Sequence, residues 1–154
     1  MPLIEQSRLA AAIAAACDDA TLLAELDTVL ERVGRSEALA WSWSQGGCLI
    51  IAEAIRRVAG GVLVGAFEEG IDGEADESTL DHVLVELSEG AYADARGVRD
   101  LDAALDDVIE IGGFESPILV PLDGAHDPRL AANVIAYDER LATRLTSRMR
   151  DALA

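Results

Sequence analysis

The sequence predicts an α+β domain with N-terminal helices, a buried helix of the kind that presents a nucleophile, a small mainly antiparallel sheet and a long C-terminal helix. Three observations carry that expectation. Apolar residues recur at helical spacing in the first third and alternate at strand spacing between glycine-bearing turns in the middle. They return to helical spacing after an Asp-Pro start signal near the end. Runs of helix followed by runs of strand separate the two element types, as α+β folds do. The 154 residues fit one domain, comprising a helical part over 1–40, an α+β core over 41–122 and the C-terminal helix over 127–150.

From Leu3 to about Cys17, residues Leu3, Ile4, Leu9, Ile13 and Ala16 give an alanine-rich helix a modest apolar face. Asp18 and Asp19 break that helix and cap the next. ATLLAELDTVLERVG sets Leu22, Leu23, Leu26, Val29, Leu30 and Val33 on one stripe, and Gly34 suits its stop. A polar loop with Trp41 and Trp43 follows. Cys48 to Val58 is apolar on most sides, with Glu53, Arg56 and Arg57 facing out, so this helix is buried on more than one face.

Gly60 and Gly61 end it, and VLVGAF has the continuous apolar run of an interior strand. FEEGIDGEADESTLD is acidic and turn-rich, which predicts a mobile surface loop; its carboxylates lack the DxDxDG spacing of a calcium loop. HVLVE alternates, SEG turns and AYADA returns, the pattern of a hairpin. Asp100 caps a helix to about Ile109, closed by Gly112 and Gly113. PILVPL is a strand bracketed by Pro117 and Pro121. Asp127 and Pro128 supply the N-cap and first-turn proline of a final helix to about Met149.

Charge narrows the partners. The chain carries 29 Asp and Glu against 12 basic residues, all arginine, for a net charge of -17. Nucleic acid and anionic membrane surfaces need a basic patch, and neither is an expected partner. No apolar run approaches the ~18 residues of a membrane span, and no secretory leader is read, so a cytoplasmic protein is expected. Cys17 and Cys48 lack CxxC or His-rich context and are expected as free thiols, with no metal and no cofactor.

The chemistry-bearing stretch is WSWSQGGCLIIAEAI. Cys48 follows Gly46 and Gly47 at the first turn of a buried helix, where unpaired N–H groups and the helix dipole favour a thiolate. The glycines, lacking Cβ, would let a substrate backbone approach. Gln45 offers a side-chain N–H to an oxyanion, and Trp43 is a candidate wall of the binding cleft. A cysteine nucleophile needs a base and a group to orient it. His82 heads the first strand of the hairpin, and Asp94 or Ala95 falls opposite it on the returning strand.

QGGCLIIAEAI followed by DHVLVELSEGAYADARGV resembles the papain-like superfamily in its transglutaminase-like and NlpC-like forms. The match rests on the order Cys48, His82, Gly90, Tyr92, Asp94 and covers Gln45 to Val98. The resemblance implies that 41–122 is a papain-like core, with Cys48 the nucleophile, His82 the general base and acid, and Asp94 the orienting residue. It implies a cysteine-dependent hydrolase or acyltransferase acting on a peptide, protein or small amide through a thioacyl intermediate. In papain the oxyanion glutamine lies further upstream than Gln45, which makes the Cys48 backbone N–H the second candidate for that task.

Each of these residues also has a plainer role. Cys48 can be a small buried apolar residue, His82 an ordinary strand residue, Trp41 and Trp43 plugs between helices, and Glu53 the partner of Arg56 or Arg57. Cys17 is expected in the core, and His126 in a solvated loop as the fallback base. The rival function is a non-catalytic acidic binding protein, of immunity or inhibitor type. The apolar positions of the final helix also suit packing in a homodimer.

Overall fold

The computed structural model describes residues 4–32, 43–44 and 46–154. Two helices, α1 (Gln6–Cys17) and α2 (Ala20–Arg32), precede α3 (Cys48–Ala59). Strands β1 (Val62–Glu69), β2 (Ala75–Asp76), β3 (His82–Glu86), β4 (Ala91–Asp94) and β5 (Gly97–Asp100) follow, then α4 (Leu101–Gly112) and β6 (Pro117–Pro121). The chain closes with α5 (Pro128–Ala132) and α6 (Glu139–Leu153). The fold is α+β, with N-terminal helices, an antiparallel sheet and a C-terminal helix. Asp19 Oδ1 accepts the N–H groups of Thr21 and Leu22 at the start of α2, as its place in the sequence predicts.

The sheet runs β2-β1-β3-β4-β5, with β6 on β1 as well, and every pairing is antiparallel. Strand alternation splits its side chains between two layers. Leu63, Phe67, Val83, Val85 and Ala93 join the core formed with α1, α2, α3 and α6. Val64, Leu84 and Tyr92 pack on Ala104 of α4, and Ala66 packs on Val108 and Phe114. Burial on both faces explains why VLVGAF is apolar throughout rather than alternating. Pro117 and Pro121 sit at the ends of β6, where prolines blunt a sheet edge.

Four expectations need correction. The helix expected over 127–150 is broken. Asn133 Nδ2 donates to the Arg129 and Glu77 carbonyls at 2.8 and 2.9 Å, Val134 takes a left-handed φ of 56°, and Asp138 caps a new helix by accepting the Leu141 N–H at 2.9 Å. The acidic stretch after β1 is not a bare loop, because β2 pairs with the end of β1. Asp76 then caps a 3-10 turn over Glu77–Thr79. GVRD forms a fifth strand that the hairpin reading did not include. Glu53 is buried, not outward-facing, because Arg56 and Arg57 fold back over it at 2.5 and 3.2 Å. No described helix is long and apolar enough to cross a membrane.

Candidate functional site

Cys48 opens α3 directly after two glycines, the first in a non-helical conformation and the second its N-cap. Gly46 has φ 105°, a conformation that residues with a Cβ rarely adopt. Gly47 is the N-cap and offers no side chain to the first N–H groups of α3, which are left without a side-chain acceptor. Its small size has a cause in the packing. A Cβ at Gly47 would lie 2.9 Å from Trp43 Cε3 and 3.0 Å from Leu26 Cδ2, so it is glycine to admit Trp43 against α2. Trp43 is accordingly buried, at 3 % exposure, and does not line the cleft beside Cys48. Among the described residues its Nε1 has no hydrogen-bond partner. Gln45 and Trp41 lie outside the described residues.

His82 starts β3 opposite Ala66 of β1. The β3 to β4 register pairs Val85 with Ala93 and Glu86 with Tyr92. Continued toward the start of β3, it sets Asp94 opposite Leu84 rather than His82. His82 and Asp94 are therefore diagonal neighbours on one face, within reach of each other. Their hydrogen bond is direct, Nε2 to Oδ2 at 3.0 Å. Asp94 is 1 % exposed, and its second oxygen accepts the Arg96 N–H at 2.9 Å.

Charge is stabilised within this group. Burial works against a protonated His82, but the Asp94 hydrogen bond and then the Cys48 sulfur outweigh it, and the imidazole pKa is pushed up to about 10. For Asp94, burial opposes ionisation, yet the hydrogen bond and charge of His82, the Arg99 guanidinium and the Arg96 N–H hold its carboxyl below the usual carboxylate range. With Nε2 committed to Asp94, Nδ1 is the ring nitrogen left for Cys48. Among the described residues no well-aligned hydrogen bond joins the Cys48 sulfur to the ring. Such contacts commonly tighten only when substrate is bound.

Cys48, His82 and Asp94 line one cleft of about 220 Å³, together with Gly46 and Ser44. Its apolar wall comes from Val108 and Ile111 of α4, from Phe114, and from Ile135 and Ala136. The last two belong to the break between α5 and α6, so the interruption of the expected helix builds part of the site. Arg96 and Asp107 add charge to the lining, 3.7 Å apart.

Sequence reasoning missed Arg99, Arg96 and Asp107. Arg99 Nη2 donates to Asp94 Oδ2 at 2.6 Å, and its Nη1 lies 2.6 Å from Asp107 Oδ2. Reading GVRD as a further strand would have set Arg99 beside Tyr92 and close to Asp94. His126, the fallback base, lies edge-on to Tyr137 at 5.8 Å and does not line the cleft. Cys17 is half-buried, and burial followed by the charges of Asp18 and Asp94 pushes its thiol up to about 12. Among the described residues no three His, Cys, Asp or Glu side chains are grouped to hold a metal ion. None of the family models, curated proteins or solved structures compared with the chain matches it.

Proposed function

We propose that the chain is a cysteine-dependent hydrolase or acyltransferase of papain-like or transglutaminase-like type, acting on the carbonyl carbon of a peptide, protein or small amide. The observation that carries this reading is the convergence of Cys48, His82 and Asp94 at one cleft, with His82 bonded to Asp94 at 3.0 Å. The order of these residues along the chain and the α+β setting agree with it.

The chemistry follows from the geometry. Cys48 gives its proton to His82, and the thiolate attacks the substrate carbonyl, forming a C–S bond and an oxyanion. The Cys48 backbone N–H, at the open start of α3, is the donor assigned to that oxyanion. The imidazolium then protonates the leaving amine as the C–N bond breaks, giving a thioester. Water, activated by His82, attacks the thioester and releases a carboxylic acid and the thiol; an amine in its place gives a new amide. Asp94 holds the ring and its charge through both halves.

The test is iodoacetamide alkylation of Cys48 against pH in a Cys17→Ala background. The expected result is a reactive thiolate well below pH 7, lost on His82→Ala. Reactivity rising only near pH ~8.5, the value of an unassisted thiol, would overturn the proposal and favour the acidic binding protein, the reading to which the net charge of -17 otherwise lends itself.

A further inference from the structure

We infer that Arg99, through Asp94 and anchored by Asp107, is the positioning residue that sets the pH range over which the Cys48 and His82 pair works. This rests on the proposed function and adds to it a residue outside the three reacting ones.

Arg99 and His82 approach the same atom. Asp94 Oδ2 accepts from Arg99 Nη2 at 2.6 Å and from His82 Nε2 at 3.0 Å. One carboxylate oxygen is thus divided between two cations. The shorter bond goes to the guanidinium, which never releases its proton in the working range. A carboxylate shared in this way holds an imidazolium less strongly than one with no other partner.

Arg99 is in turn fixed from the far side. Its side chain is 15 % exposed, and Nη1 stands 2.6 Å from Asp107 Oδ2 on α4. That contact is off the N–H direction, so Nη1 has no aligned hydrogen bond, and Nε has no partner among the described residues. The contact with Asp107 is one of charge. Asp107 therefore draws Arg99 toward α4, and the pull of Arg99 on Asp94 depends on it.

The other charges near His82 do not duplicate this arrangement. Asp94 on β4 is its hydrogen-bond partner, and Cys48 on α3 acts on its charge. Asp81 precedes it in the chain and lines the cleft. Arg96 in the β4 to β5 turn touches Asp94 only through its backbone N–H and points its guanidinium toward Asp107, 3.7 Å away. Among the described residues only Arg99 places a positive side chain on the oxygen that His82 uses.

Two substitutions move the pair in opposite directions. Arg99→Gln removes a cation, which makes thiolate less stable and imidazolium more stable, so the acid limb of Cys48 alkylation moves up by at least about half a pH unit. Asp107→Asn removes an anion and frees Arg99 to act fully on Asp94, so the limb moves down. Arg99→Lys keeps the charge and loses the fork, and its midpoint stays nearer the native one than that of Arg99→Gln.

The experiment is the same alkylation profile, measured on Cys17→Ala chains carrying each substitution, with folding checked by circular dichroism. Opposite shifts for Arg99→Gln and Asp107→Asn support the inference. Midpoints within about 0.2 pH unit of the native one overturn it, as would a downward move for Arg99→Gln or an upward one for Asp107→Asn. A merely structural Arg99 would lower the reactive fraction without moving the midpoint. If Arg99→Gln does not fold, the partly exposed Asp107 position decides alone. A native Cys48 that reacts only near pH ~8.5 instead removes the proposed function itself, so the two failures are distinguishable.

Discussion

At the residue scale, His82 ties the chemistry of the site to the stability of the fold. Its imidazole, held by Asp94 and Cys48 against the cost of burial, keeps a proton up to about pH 10 in the folded chain, whereas an unfolded histidine loses it near pH ~6.5. A raised folded value contributes stability that is complete below the unfolded value and is lost as pH rises through the folded one. The change is bounded by one proton, about 1.4 kcal/mol per pH unit. The native chain should therefore exceed His82→Gln in urea resistance most at pH 6 and less at pH 10. An advantage that grew with pH in paired denaturation curves would contradict this account of His82.

The residues that sequence pattern identified and those it missed differ in a physical way. Cys48, His82 and Asp94 stand out in sequence because each belongs to a local signal: a helix start, the first position of an alternating strand and the end of its return. Arg99 and Asp107 join the same group only because β5 pairs with β4 and α4 covers that face. Nothing within a short window links them to His82. Gly47 shows the reverse case, a residue prominent in sequence whose small size makes room for Trp43 and Leu26.

At the scale of elements, α3 is held to the C-terminal region by a buried ionic group. Glu53, 3 % exposed, accepts two hydrogen bonds from Arg56 and one from Arg57. Arg57 then reaches Tyr137 at 3.2 Å and Glu139 at 2.5 Å. Replacing Glu53 with Ala removes the shared acceptor and leaves the arginines to partly solvated positions, at an expected cost of about 2 kcal/mol. Urea denaturation of Glu53→Ala against the native chain measures it. A loss below about 0.5 kcal/mol would show that the group adds little to the packing of α3 on α6.

Several element boundaries were legible where a cap or breaker stood in sequence. Asp100 accepts the Ala103 N–H at 2.9 Å, and Gly113 ends α4 at φ 72°. The break between α5 and α6 was not legible, because Asn133 to Asp138 contains no proline or glycine and its apolar residues keep a helical spacing. What stops the helix there is a long-range bond, from Asn133 Nδ2 to the Glu77 carbonyl, joined to the cap at Asp138. The consequence is functional under the proposal, since Ile135 and Ala136 of the break form one wall of the cleft.

At the scale of the molecule, the balance of charge sets conditions. A net charge of -17 in 154 residues repels itself, and such repulsion is screened over about 10 Å at 0.1 M salt and about 3 Å at 1 M. The melting temperature should therefore rise by a few degrees between about 20 mM and 0.5 M sodium chloride at pH 7. Scanning calorimetry at the two salt concentrations checks it, and a fall with salt would mean that the ion pairs of the fold outweigh its like-charge repulsion.

The sequence by itself determined the α+β class, the helix that begins at Cys48, the hairpin bearing His82 and Asp94 and most cap positions, because each rests on periodicity and local hydrogen bonding. Only the tertiary structure decided the diagonal bond between His82 and Asp94, the attachment of Arg99 to that carboxylate, the burial of Glu53 and Trp43, and the broken final helix. Those depend on register, on which layer covers which face, and on contacts between residues far apart in the chain.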